Sequence, residues 1–424
     1  LIFGLFVFRT IYGLCSEFWF EDELQIYLIG LKSFTTNSWP FYGPDIVYTN
    51  TQIPGALQGL LVSIPFYILK IPESPIIFLN ILSFISLSFL AYYISKRITG
   101  IPTWLIWTLV LTTPWTLYYS TRVVNPSYVI IFSIPFFLSV LELLSIYKQK
   151  IVRPELAFFI IGLTTTLIMQ LHMSFVLLVP FTLIVFWEAV RKSYSKLWRY
   201  LLTYLSGTAI GLITLIPTII YPDPAMQGIG SNMVFTPDNF KNIFTVLFRF
   251  LSFASFEIPY VMGGGTVERL NVIKSQPWMT PFAVVLLIAG FLQIGLFIIS
   301  FFLNKDKNGW RKIKWLTFIS WQIIFFSFFF SVKGPSSHTF YLMLPVPVIY
   351  SFYCYQWLIT KKPYMLRFIK IIAICGICFH IGLGLYNFQH KSLYLNRKKA
   401  QEALIKMEYK ILGERRAEKL GYGY

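Results

Sequence analysis

Long apolar runs set the character of the chain, and they do not alternate with polar positions. They fall at about 1–14, 54–71, 75–95, 101–121, 127–147, 155–171, 173–189, 200–221, 278–303, 314–332, 338–358 and 368–387. Several reach the roughly 20 residues a helix needs to cross a hydrocarbon core about 30 Å thick. Runs of this length without a period of two predict helices, which satisfy their own backbone polar groups inside lipid. Segment 54–71 differs from the others. It carries Pro54, Gly55, Gly59 and Pro65 and ends in Lys70-Ile-Pro72.

Charge decides whether that segment crosses. With 54–71 outside, five short basic loops share one side of the membrane. They hold Lys96 and Arg97; Lys148, Lys150 and Arg153; Arg191, Lys192, Lys196 and Arg199; Lys305, Lys307, Arg311, Lys312 and Lys314; and Lys361, Lys362, Arg367 and Lys370. The other side then has Lys32, Lys70, Arg122, Lys241, Arg249, Arg269, Lys274 and Lys333, spread over much longer loops. Short loops dense in Lys and Arg face the cytoplasm. The pattern therefore predicts an all-α, polytopic membrane protein with about eleven spans over residues 1–389. Segment 54–71 becomes a membrane-hugging helix in a first outer loop, 15–74. A second large outer loop covers 222–277, and a basic tail, 390–424, lies outside by parity. No internal repeat and no soluble domain is visible.

Composition fits this picture: 56% hydrophobic, 19% aromatic and only 13% charged, more apolar surface than a water-soluble fold can hide. The net charge of +18 would suggest nucleic acid in a soluble protein. Here it belongs to the cytoplasmic loops, and no nucleic-acid partner is expected. Cys15, Cys354, Cys375 and Cys378 lie in or beside apolar runs and predict no disulfide framework. Residue 1 is Leu, so the chain is expected to extend upstream.

Acidic residues number 18 in 424, yet Glu21, Asp22 and Glu23 stand together directly after the first apolar run, behind Phe18-Trp-Phe20. Carboxylates at a membrane edge can act as a general base, bind a cation, or mark the water side of a helix end. Five further patches follow in order: Tyr42-Gly-Pro44; Pro54-Gly-Ala-Leu-Gln-Gly-Leu-Leu61; Ser120-Thr-Arg-Val-Val-Asn-Pro126; Gln170-Leu-His172; and His338-Thr-Phe-Tyr341 with Pro345. With the acidic cluster, their order over residues 1–360 resembles the C-type (GT-C) membrane glycosyltransferases. These include the protein O-mannosyltransferases and the bacterial lipid A aminoarabinose transferases. Asp22-Glu23 sits where their Asp-Glu pair sits. Asn125 departs from the aminoarabinose enzymes, which have an Asp there, so neither an acidic role at that position nor their substrate is carried over.

The resemblance implies an inner-membrane enzyme that moves a sugar from a polyprenyl phosphate to a lipid, glycan or protein acceptor outside the membrane, with inversion. Asp22 is then the base, with Glu23 or Glu21 holding the acceptor or orienting Asp22. Arg122, Lys333, His338 and Tyr341 are candidates for the leaving phosphate. Each also has a bland reading, as a snorkelling or ordinary loop side chain. His172 reads first as a structural histidine. Cys375-Gly-Ile-Cys378 with His380 imitates a metal motif inside an apolar run that supplies no fourth ligand, so no metal and no cofactor is expected. Gly263-Gly-Gly-Thr266 reads as a turn or an acceptor-binding loop. The rival reading is a transporter or flippase of a lipid-linked or amphipathic solute, which would favour paired broken helices or repeated halves. A non-catalytic assembly subunit is the third.

Overall fold

Each apolar run becomes helix, because backbone that meets lipid must bond to itself. The computed structural model describes residues 1–16, 21–46, 52–144, 146, 150–221, 235–256, 258–263, 265–305, 309–331, 334–335 and 337–391. After α1 (Ile2–Ser16) come α2 (Glu21–Thr36), strands β1 (Tyr42–Asp45) and β2 (Gln52–Pro54), and α3 (Leu57–Ile68). Then follow α4 (Ser74–Arg97), α5 (Thr103–Thr112), α6 (Pro114–Ser120), α7 (Val129–Leu143), α8 (Pro154–Met169), α9 (Val179–Ser193), α10 (Leu197–Leu212) and α11 (Ile216–Ile220). The last part runs α12 (Ile243–Ser252), α13 (Pro259–Met262), α14 (Thr266–Ser275), α15 (Thr280–Leu303), α16 (Trp310–Ser327), α17 (Ser337–Leu342), α18 (Pro345–Lys361) and α19 (Met365–Tyr386).

Six segments among the described residues are long and apolar enough to cross a membrane: Ser74–Arg97, Asn125–Leu143, Met173–Lys192, Pro277–Leu303, Trp310–Phe330 and Met365–His390. Large apolar side chains stay exposed on several of them, among them Trp187, Phe291, Leu292 and Ile374. Apolar patches of that extent need lipid. The chain is a multi-pass membrane protein. Other runs give shorter helices, and one break has a clear cause. Pro114 forces Thr113 into extended backbone, which splits run 101–121 into α5 and α6.

Helix α3 has 12 residues, about 18 Å at 1.5 Å per residue, too short for a hydrocarbon core of about 30 Å. Its Leu57, Leu61, Val62 and Phe66 are buried while Ile64, Tyr67 and Ile68 are exposed. It packs closely on α2, with Gly30 against Val62 and Gly59 against Ile29, and Gly59 also meets Pro40 in the loop after α2. The Tyr42-Gly-Pro44 patch lies in β1. That strand pairs antiparallel with β2, Tyr42 opposite Pro54 and Asp45 opposite Gln52.

Buried polar groups fasten these parts together. Gly55 has φ of +109°, and a Cβ there would meet the Gln170 side chain at 2.5 Å. Gln170 donates to the Gly211 carbonyl (2.8 Å) and accepts from Thr214 Oγ1 (2.8 Å), so the hairpin is bolted to the ends of α8 and α10. Helices α8 and α10 touch backbone to backbone: Gly162 lies against the Tyr204 carbonyl and Gly207 against the Phe159 carbonyl. Small residues permit such approach where helices associate in lipid. At the C-terminal ends of α4 and α7, buried Glu142 pairs with Arg97 (2.9 Å). It also accepts from Tyr93 Oη (2.9 Å) and from the backbone N–H of Ile151 (2.7 Å).

The second long loop is described from residue 235, where the apolar stretch near 240–262 forms α12 and α13. Gly265 leads into α14, and Arg269 Nε donates to the Gly263 carbonyl (3.1 Å). The four cysteines are free, and tail residues 392–424 lie outside the described residues.

Candidate functional site

The acidic cluster lies in the first turn of α2, the positive end of that helix's dipole. The side chains of Glu21 and Asp22 lie outside the described residues. Glu23 is buried and forms an ion pair with Arg122, 3.7 Å apart, their side chains 4% and 5% exposed. Charges buried to this degree are stable only when paired.

Arg122 follows α6 in the turn that leads to α7. Its guanidinium lies 3.9 Å from the centroid of the Tyr118 ring, and its Nε donates to the Tyr118 carbonyl (3.0 Å). Burial alone weakens the cation. Tyr118 and Glu23 together outweigh that and hold its pKa above arginine's ordinary value. The turn continues through a single 3₁₀ turn, Asn125–Tyr128, with Pro126 at its start. The buried Asn125 Oδ1 has no hydrogen-bond partner among the described residues.

Helices α2 and α17 both pack against that 3₁₀ turn. Tyr341 on α17 is fully buried, its ring 5.1 Å from Tyr119. Its hydroxyl approaches Ser120 without completing a hydrogen bond. Glu23, Arg122, Asn125 and Tyr341 are thus gathered by three elements far apart in sequence. An aromatic wall backs them: Trp115 stacks on Phe253 (4.3 Å) and on Tyr119 (5.7 Å), and Phe253 on Phe340 (5.8 Å).

Two predicted residues, Lys333 and the His338 side chain, lie outside the described residues. The backbone of His338 is on α17, three positions before Tyr341 and so on the same helix face. His172 has a structural role: its Nδ1 accepts the Ser174 N–H (3.1 Å) and meets Ser174 Oγ (2.7 Å), capping the turn Met173–Leu178. That turn also packs against α17. Cys375, Cys378 and His380 lie along α19, and His380 packs edge-on against Tyr12 of α1 (5.4 Å). Among the described residues no three His, Cys, Asp or Glu side chains gather as a metal site would require.

Sequence reasoning missed Arg9 and Tyr118, and it placed Ser120 in a patch without its partner Arg9. Arg9 carried a signal, being an arginine inside the first apolar run. Tyr118 carried none, because its role comes from contact with Arg122. Chemically, the cluster offers a carboxylate-rich helix start, a guanidinium held by an aromatic face, and a buried amide oxygen awaiting a donor.

No protein-family model matches the chain, and no curated protein matches it significantly. Two solved structures do, both of ArnT from Cupriavidus metallidurans. The apo structure superposes with a TM-score of 0.50 at 12% identity, over 93% of this chain and 76% of that one. The structure bound to undecaprenyl phosphate gives 0.50 and 12%, over 95% and 77%. The likeness is one of fold.

Proposed function

We propose that the chain transfers a glycosyl residue from a polyprenyl-phosphate sugar to an acceptor at the outer face of the membrane. The observation that carries this reading is the buried Glu23–Arg122 pair beside Asp22, in a fold like that of a protein crystallised with undecaprenyl phosphate. Asp22 takes the proton from the acceptor hydroxyl. The freed oxygen attacks the anomeric carbon from the face opposite the phosphate, the carbon–phosphate oxygen bond breaks, and the phosphate leaves with the electron pair. Inversion follows from that single displacement.

Glu23 holds Arg122 in place, and Glu21 assists in orienting Asp22 or the acceptor. Arg122, Lys333, His338 and Tyr341 face the phosphate as its charge develops. Asn125 offers its oxygen, which has no partner among the described residues, to a sugar hydroxyl. The site lies on the outer side in an eleven-span arrangement with α3 along the interface, and the donor enters sideways from the bilayer.

The donor class is the point to test. The predicted cytoplasmic loops are short and basic, and they leave little room for the metal-binding carboxylates or glycine-rich loop a nucleotide sugar calls for. Purified protein given an acceptor panel should form product with a polyprenyl-phosphate sugar and none with a nucleotide sugar alone. Robust transfer from the nucleotide sugar in polyprenol-free detergent overturns the reading. Movement of the lipid across liposomes without product would mark a transporter.

A further inference from the structure

Arg9 stands in the interior of α1 and is completely buried. Among the described residues no carboxylate lies within ion-pair distance of it. Its Nη1 donates to the Leu111 carbonyl (2.7 Å), and its Nη2 to Ser120 Oγ (2.7 Å) and more weakly to Ser83 Oγ (3.4 Å). Its Nε has no hydrogen-bond partner among the described residues. A neutral side chain can serve those acceptors, so tying helices together does not call for a charge. A charge inside a membrane-spanning run is costly and marks function.

The position of that charge gives it a use. Ser120, which Arg9 holds, is two residues before Arg122 and beside the Tyr341 hydroxyl, and Tyr341 is near enough to Arg9 to feel its charge. Arg9 therefore sits behind the face that Arg122 and Tyr341 present. Glu23 pairs with Arg122, whereas among the described residues no carboxylate pairs with Arg9. A polyprenyl-phosphate sugar is a phosphodiester with one negative charge. The phosphate released from it is a monoester that carries up to two.

We propose that Arg9 is a positioning residue whose charge, set behind Ser120 and Tyr341 and paired with no carboxylate among the described residues, makes this site select a lipid phosphate over the uncharged lipid. The proposal rests on the reading of the site as one for a polyprenyl phosphate. A unit charge about 10 Å away at an effective dielectric of ~20 changes such a preference roughly tenfold.

The test compares binding of undecaprenyl phosphate and of undecaprenol to purified protein in nanodiscs, by native mass spectrometry. Arg9→Gln keeps hydrogen-bond donors and removes the charge. Its preference for the phosphate should fall about tenfold. Arg9→Lys should stay within about twofold of wild type, because it keeps the charge and loses only the fork. An unchanged preference in Arg9→Gln overturns the proposal, and so does an equal loss in both variants, which would mean bonding geometry matters and charge does not. If Arg9→Gln yields no folded protein, Arg9→Lys decides: preserved preference supports the proposal and a tenfold loss refutes it. Wild-type protein without any preference for the phosphate defeats the polyprenyl-phosphate reading itself, a result distinct from these.

Discussion

Removing the Glu23 carboxylate tests the core of the site. At 3.7 Å its contact with Arg122 is an ion pair rather than a short charge-assisted hydrogen bond, for which about 2.7–2.9 Å is usual. Both side chains are buried, and breaking a buried pair from one side costs about 3–5 kcal/mol, because the survivor keeps an uncompensated charge. After Glu23→Gln, Arg122 retains the Tyr118 ring at 3.9 Å and the Tyr118 carbonyl at 3.0 Å. A desolvated cation–ring contact contributes up to about 2 kcal/mol. The loss should therefore sit near the lower end, about 3 kcal/mol. Arg122→Met also forfeits both Tyr118 contacts and strands Glu23, so it should cost about 4–5 kcal/mol. The double variant leaves no stranded charge and should fall short of the sum by about 2 kcal/mol. Steric trapping in bicelles measures unfolding of membrane proteins over that range. Additivity within about 0.5 kcal/mol would refute the reasoning, since it would mean the two charges do not sense each other.

Three more outcomes are expected. Asp22→Asn preserves size and hydrogen bonding but not basicity, so transfer in a purified assay should fall by about 10²–10⁴ while Glu21→Gln does less; near-normal turnover would remove Asp22 as the base. In a background cleared of the four native cysteines, Cys at position 150 or 312 should resist an impermeant thiol reagent on intact cells. Strong external labelling at either would invert the topology. Gly207→Leu drives a side chain into the Phe159 carbonyl and should separate α10 from α8, with loss of monodisperse protein on size-exclusion chromatography; an unchanged profile would show that the contact gives way easily.

How far the fold was legible follows from the solvent. Lipid leaves a helix few alternatives, so the runs 75–95, 278–303 and 368–387 read directly as α4, α15 and α19. Breaks inside runs were less readable. Pro114 lies within an apolar stretch of ordinary length, and only the extended backbone at Thr113 shows that two helices meet there. The β1–β2 hairpin was hidden for another reason. Its residues are rich in Pro and Gly, and its register depends on Gly55 turning back over Gln170, some 115 residues away in sequence.

The site was legible as residue types and not as pairs. Glu23 stood out because acids are scarce, and Arg122 because it interrupts apolar sequence, yet nothing in either stretch names the other as its partner. The same lipid that makes helices easy to see explains what such interruptions mean. A polar group inside an apolar run has no water to turn to, so its partners must come from other helices. Arg9 reaches α4, α5 and α6; Glu142 reaches α4 and the loop before α8; Gln170 reaches the end of α10 and Thr214, two residues beyond it. Each was a single polar letter in the sequence and became a junction of several elements. In such a chain an embedded charge states that a contact exists, and its sign states what the contact leaves over. At Glu142 the charges cancel and a structural knot results. At Arg9, with no carboxylate near it among the described residues, they do not cancel, and a phosphate is the kind of group that would complete the balance.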